Sequence, residues 1–193
     1  MEKIIKKILS ESIEIKEKFI SENISSIILV SQKIAQSFTN DGKLMICGNG
    51  GSAADAQHIA GEFVNRLLIE RPPLPAIALT TDTSVITSIG NDYSFNDIFS
   101  KQVKALGMEG DVLLAISTSG NSDNILEAVK AAKDHNIFTI GLIGGDGGKL
   151  GREADLSLIV KGRIPPRIQE THILVGHIIC QLVDYLLFQK GIK

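Results

Sequence analysis

Residues 112–135 read VLLAISTSGNSDNILEAVKAAKDH, and three textures follow one another without a break. Val112–Ile116 is apolar at every position, the mark of a strand with no water-facing side. Ser117-Thr118-Ser119-Gly120-Asn121-Ser122 then places four hydroxyls within six residues. From Asp123 to His135 apolar residues recur at helical spacing. A buried strand, a hydroxyl loop and a helix in that order form one arm of a parallel α/β sheet, whose ligands bind outside the carboxyl ends of the strands. The loop holds no Lys or Arg, so an anion there is gripped by hydroxyls, amides and the helix N-terminus rather than by a basic clamp. The alternative is a serine-rich surface loop in which Ser122 merely caps the helix.

The same grammar stands upstream. Leu44–Cys47 is an apolar run, Gly48-Asn49-Gly50-Gly51-Ser52 is a glycine turn, and Ala53-Ala54-Asp55-Ala56-Gln57-His58 opens a helix. Asn49, Gly50, Gly51 and Ser52 are therefore candidate anion contacts, because the glycines let backbone amides approach a ligand closely. Read blandly, this is a strand-to-helix turn capped by Ser52, since it fits neither the Walker nor the dinucleotide pattern. Two such loops are harder to dismiss than one.

Further apolar runs at 76–79, 138–143 and 156–160 alternate with helical stretches at 52–67 and 95–106, and a long closing helix spans about 167–189. Strands alternating with helices, most of them near-continuous in apolar character, imply a parallel sheet covered on both faces. Ahead of it, residues 2–20 and 22–38 read as two amphipathic helices ended by Asp41-Gly42. Residues 1–193 are read as one domain, with 1–40 a helical arm used in oligomer packing.

Composition narrows the function. A net charge of −2 with scattered Lys and Arg argues against a nucleic-acid surface. The charged N-terminus has no export core, and the late apolar stretch 173–188 is interrupted by His177, Gln181 and Asp184, which argues against a membrane partner. Cys47 and Cys180 read as buried thiols of a reducing, cytoplasmic compartment.

The STSGNS run at Ser117–Ser122 resembles the sugar-isomerase (SIS) domain family. More narrowly, CGNGGSAADAQHIAGEFVNR (47–66), LTTDTSVITSIGND (79–92), LAISTSGNSDN (114–124) and PPRIQETHILVGH (165–177) are similar to the phosphoheptose isomerases. The resemblance implies an α/β fold, a three-layer αβα sandwich around a five-stranded parallel sheet, and conversion of sedoheptulose 7-phosphate to D-glycero-D-manno-heptose 7-phosphate for bacterial surface heptose, in a homotetramer with sites at subunit interfaces. It also implies one Zn2+ per subunit held by His58, Glu62, Gln169 and His177, with Glu62 and His177 as the acid–base pair. Substrate contacts would come from Asn49, Gly50, Gly51, Ser52, Glu62, Asn91, Asp92, Ser117, Thr118, Ser119, Ser122 and Gln169.

Spacing alone says less. His58 and Glu62 are four residues apart and share a helix face, an arrangement that is more often a solvated pair than a metal site. Asn91-Asp92 reads equally as a sugar contact or a turn. Gln169 and His177 on one unbroken helix would be about 12 Å apart along its axis. Arg163 and Arg167 flank Pro165-Pro166 and either approach an anion or pair with surface carboxylates. His135 and His172 read as structural. The rival function is a non-catalytic phosphosugar-sensing or adaptor protein, in which the Glu62 position would be replaced. A dinucleotide-dependent oxidoreductase fails for want of G-x-G-x-x-G.

Overall fold

The structure is a computed structural model that describes residues 1–189. Its centre is a five-stranded all-parallel sheet in the order β2-β1-β3-β4-β5. The strands are β1 (Leu44–Gly48), β2 (Ala76–Ala78), β3 (Val112–Ser117), β4 (Phe138–Gly144) and β5 (Leu156–Val160). Consecutive residues of one strand point to opposite faces, and here both faces are dry. Leu44 and Ile46 of β1 enter one core together with Leu114, Ile116, Ile140 and Leu142. Met45 and Cys47 enter the other with Leu113, Ala115 and Ile143. Three layers result.

The first core is roofed by α1 (Glu2–Thr39), α2 (Gly51–Val64) and α7 (Pro165–Asp184), through Phe19, Val30, Ile34, Ile59, Phe63, Val175 and Ile179. The second is covered by α3 (Thr83–Asp92), α4 (Ser100–Leu106), α5 (Asp123–Asp134) and the short α6 (Leu150–Glu153). Helix α3 lies where the sequence reading placed no helix; Asp82 starts it by accepting the Val85 amide at 2.9 Å.

The N-terminal arm departs from expectation. It is one 38-residue helix, not two. Polar residues in the middle of its inward stripe disguise the continuity, yet each has work there. Ser12 donates to Glu170 of α7 at 2.6 Å, and the Asn23 amide donates to the Phe19 carbonyl at 2.8 Å. Nothing between Phe19 and Ile24 is a helix breaker.

Both cysteines are free and buried, and burial pushes the Cys47 thiol up to about 12 and Cys180 further still. Residues 165–189 form a helical stretch long and apolar enough to cross a membrane by length and composition. Its inner face instead carries Val175, Ile179 and Val183 into the first core.

Candidate active site

In the order 2-1-3-4-5 the chain leaves β1 toward one sheet edge and returns beside it as β3 to build toward the other. That reversal opens a crevice at the carboxyl ends of β1 and β3. Gly48 and Ile116 are register partners, so the two candidate anion loops emerge side by side. They are tied together as well. Asn49 Nδ2 donates to Asn124 Oδ1 at 2.9 Å, and Asn124 Nδ2 returns a bond to Asn49 Oδ1 at 2.8 Å. The sequence reading missed Asn124; its only signal was its place in the first turn of α5.

The loops keep their hydroxyls for a ligand. In the first, Gly50 rather than Ser52 is the N-cap, at φ +55 and ψ −119, a conformation that a side chain would resist. Ser52 falls inside the first turn and is buried, with its hydroxyl not spent as the cap. In the second, Ser122 is the N-cap of α5 but makes no side-chain cap bond. Ser117 Oγ accepts the Gly120 amide at 3.0 Å, and Ser119 Oγ accepts the Asn121 amide at 3.2 Å. A hydroxyl that accepts in this way still has its proton to donate, so these bonds orient the loop without exhausting it.

Beside the loops, α2 and α7 bring three groups together. His58 Nε2 lies 3.1 Å from Glu62 Oε1 and 2.9 Å from His177 Nε2. One ligand atom from each of the three lies within 4.8 Å of the others. Two imidazole nitrogens at 2.9 Å are held by one shared proton or by a common cation, because two protonated rings would repel. Two imidazoles and a carboxylate are also the donor set of catalytic zinc sites that keep a position open. The residues fit the metal.

Gln169 stands apart from this trio. It shares the unbroken α7 with His177, about 12 Å earlier along the axis at 1.5 Å per residue. Its carboxamide lies over the first loop instead: a Cβ added at Gly51 would meet Gln169 Cδ at 2.9 Å. The single chain thus gathers three of the four implied ligands and lays the fourth over the first loop. Asn91 and Asp92 end α3, exposed, with Asn91 Nδ2 donating to Asp92 Oδ1 at 2.8 Å. Among the described residues neither side chain bonds to either loop.

Two neighbours escaped the sequence reading. Asp55, one turn before His58 on the same face of α2, has a buried Oδ2 without a hydrogen-bond partner. Burial raises its carboxyl to about 6, with the His58 charge pulling back. Arg71 lies under the C-terminus of α2 and donates to the carbonyls of Glu62 at 2.8 Å and Phe63 at 2.7 Å. Its Nε reaches Asp184 Oδ1 of α7 at 2.9 Å.

Comparison with known proteins agrees with the fold. A family model described as the SIS domain matches residues 9–144. The phosphoheptose isomerase of Clostridium acetobutylicum is 50% identical over 100% of this chain and 99% of its own. The solved structure of phosphoheptose isomerase from Neisseria gonorrhoeae superposes with a TM-score of 0.90 at 46% identity, covering 95% of this chain and 98% of that one. That of a phosphoheptose isomerase from Francisella tularensis gives 0.91 at 42% identity, covering 94% and 97%.

Proposed function

The chain belongs to the SIS domain family and, within it, to the phosphoheptose isomerases, and on that premise we propose how its own residues convert sedoheptulose 7-phosphate to D-glycero-D-manno-heptose 7-phosphate. The activity is an aldose–ketose isomerisation of a sugar phosphate. The observation that carries the mechanism is the trio His58, Glu62 and His177 beside two hydroxyl loops on adjacent strands.

Substrate enters with its phosphoryl group between Ser52 and the Ser117–Ser122 loop, where hydroxyl protons and the α5 N-terminus face it. Asn49, Gly50 and Gly51 shape the first loop around the sugar, and Gln169 leans over it. Glu62 removes a proton from C1 of the ketose. The C1–H electron pair becomes the C1–C2 double bond of an enediolate, and the charge moves to O2. His177 returns a proton to C2, and a proton passes from O1 to O2, leaving a C1 aldehyde and a C2 hydroxyl. The reaction is redox-neutral, so it needs no oxidant. A carboxylate and an imidazole suit this exchange near neutral pH. Zn2+ held by His58, Glu62 and His177 supplies polarisation of the O1 and O2 oxygens when bound. Gln169 enters such a shell only across a subunit boundary.

The finer setting is also part of the proposal. The product feeds lipopolysaccharide or capsule heptose, the enzyme works in the cytoplasm, and it assembles as a homotetramer. The presence of Glu62 disfavours the non-catalytic adaptor reading, in which no general base is needed.

The test is to follow aldose formation from sedoheptulose 7-phosphate. Glu62→Gln and His177→Ala should each lower kcat by at least about a hundredfold, the usual worth of a general acid or base, with circular dichroism unchanged. A chelator should suppress wild-type turnover, and added Zn2+ should restore it. Full activity in either variant removes that residue from the mechanism.

A further inference from the structure

The dianion this site must hold has an electrostatic problem. Neither hydroxyl loop contains a cation, and the nearest charged neighbours on α2 and α5 are carboxylates, Asp55 and Asp123. Hydroxyls, amides and a helix end offer only partial charges. A full counter-charge elsewhere in the crevice would add to what they supply.

The loop that joins β5 to α7 supplies one. Thr118 and Ser119 of the second hydroxyl loop share a cavity of about 710 Å³ with Lys161, Arg163, Pro165 and Ile168. Asp146 is the one carboxylate on that wall, and it accepts the Gly148 amide at 3.0 Å. Two cations against one anion leave the cavity positive. The cations near it are not equally free. Lys161 reaches Glu22 of α1 at 3.5 Å. Arg167 is spent as a staple, donating to the Ile8 carbonyl at 2.9 Å and pairing with Glu170 at 2.8 Å. Arg163 is exposed and has no ion pair among the described residues.

We propose that Arg163 is a phosphate-recognition residue: its guanidinium closes on the phosphoryl group of the substrate from the side opposite the hydroxyl loop. The inference rests on the sugar-phosphate reading above and deepens it. Arginine suits the role because its planar fork takes two oxygens of one phosphoryl group at once. The contact is made equally in ground state and transition state, since the phosphate lies five carbons from the reacting C1–C2 bond. It therefore acts on KM and leaves kcat alone.

The experiment uses Arg163→Gln and Arg163→Lys in the full-length protein, with two readouts. Arg163→Gln is expected to raise KM for sedoheptulose 7-phosphate by about tenfold with kcat within about twofold of the parent. It is also expected to weaken calorimetric binding of inorganic phosphate by a similar factor, with Arg163→Lys intermediate. KM and phosphate affinity within about twofold of the parent in Arg163→Gln would overturn the assignment, and so would a fall in kcat at unchanged KM. The phosphate measurement needs no turnover, so a parent that binds phosphate without isomerising the sugar would sink the catalytic reading and leave this one standing.

Discussion

His172 is the least comfortable residue in the molecule. It is fully buried on α7, and neither ring nitrogen has a well-formed hydrogen bond. Burial lowers its pKa from 6.5 to about 4, with a backbone contact at Ile143 opposing weakly. The folded protein therefore holds the ring neutral while the unfolded chain takes up a proton below about pH 6.5. Between those values the unfolded state binds more protons, so stability falls as the pH drops through this window. At 1.36 kcal/mol per pH unit the loss by pH 4 is roughly 3 kcal/mol. Asp55 works the other way. Its raised carboxyl favours the folded state at low pH and gives that stability back as pH rises through about 6, which shallows the slope between pH 4 and 6. His172→Leu should flatten the pH dependence of the urea midpoint from pH 6.5 down to 4. A slope unchanged in that variant would assign the acid sensitivity to other groups.

At the scale of elements, α2 and α7 matter most, because Glu62 rides on one and His177 on the other. Arg71 fastens them. Its guanidinium, with a side chain 1% exposed, satisfies carbonyls that α2 leaves unpaired at its end and pairs with Asp184 of α7. Arg71→Ala strands a buried carboxylate and should cost about 3–5 kcal/mol, visible as a drop in the urea midpoint. Asp184→Asn keeps the shape and removes the charge, so a loss there of similar size would identify the ion pair rather than the capping bonds as the main term. This clamp was invisible in the sequence, where Arg71 sits in RPPLP among ordinary loop residues and its partner lies 113 positions away. The strands were plain because burial on both faces leaves an unbroken apolar run, and the hydroxyl loops were plain because they are local in the chain. His58 and Glu62 share one turn of α2 and could be paired by spacing. That Gln169 stands apart from His177 follows from their spacing of about 12 Å along one unbroken helix, whereas that His177 joins the pair depends on how α7 lies across α2, which spacing along one helix does not carry. Helix α3 was missed because Thr80–Ser88 is rich in residues that favour turns; Asp82 turns that chemistry into a cap.

At the scale of the whole molecule, α1 carries a surface unexplained by the packing of the described residues. Helix α1 carries an inward stripe at steps of one or two helical turns through Ile5, Leu9, Ser12, Phe19, Ile27, Val30 and Ile34. The later members are buried, but Ile5 and Leu9 are 67% and 59% exposed. A 38-residue helix is about 57 Å long, nearly twice the width of a small domain. Its first turns therefore run past the core they would otherwise cover. Ile4, Ile8 and Ile13 widen the apolar surface at that end, and Ile24, Ile28 and Leu29 extend it along another face. Contiguous exposed apolar surface of this kind marks an interface. In the proposed homotetramer the stripe would find its continuation on a second copy. Ile5→Glu with Leu9→Glu should lower the mass measured by light scattering from that of a tetramer, and the melting temperature of the parent should rise with protein concentration while that of the variant does not. Because the sites are proposed to be completed between subunits, turnover of the double variant should fall together with the mass even though His58, Glu62 and His177 are untouched. A variant that keeps both its mass and its turnover would show that the overhanging stripe is not where the copies meet.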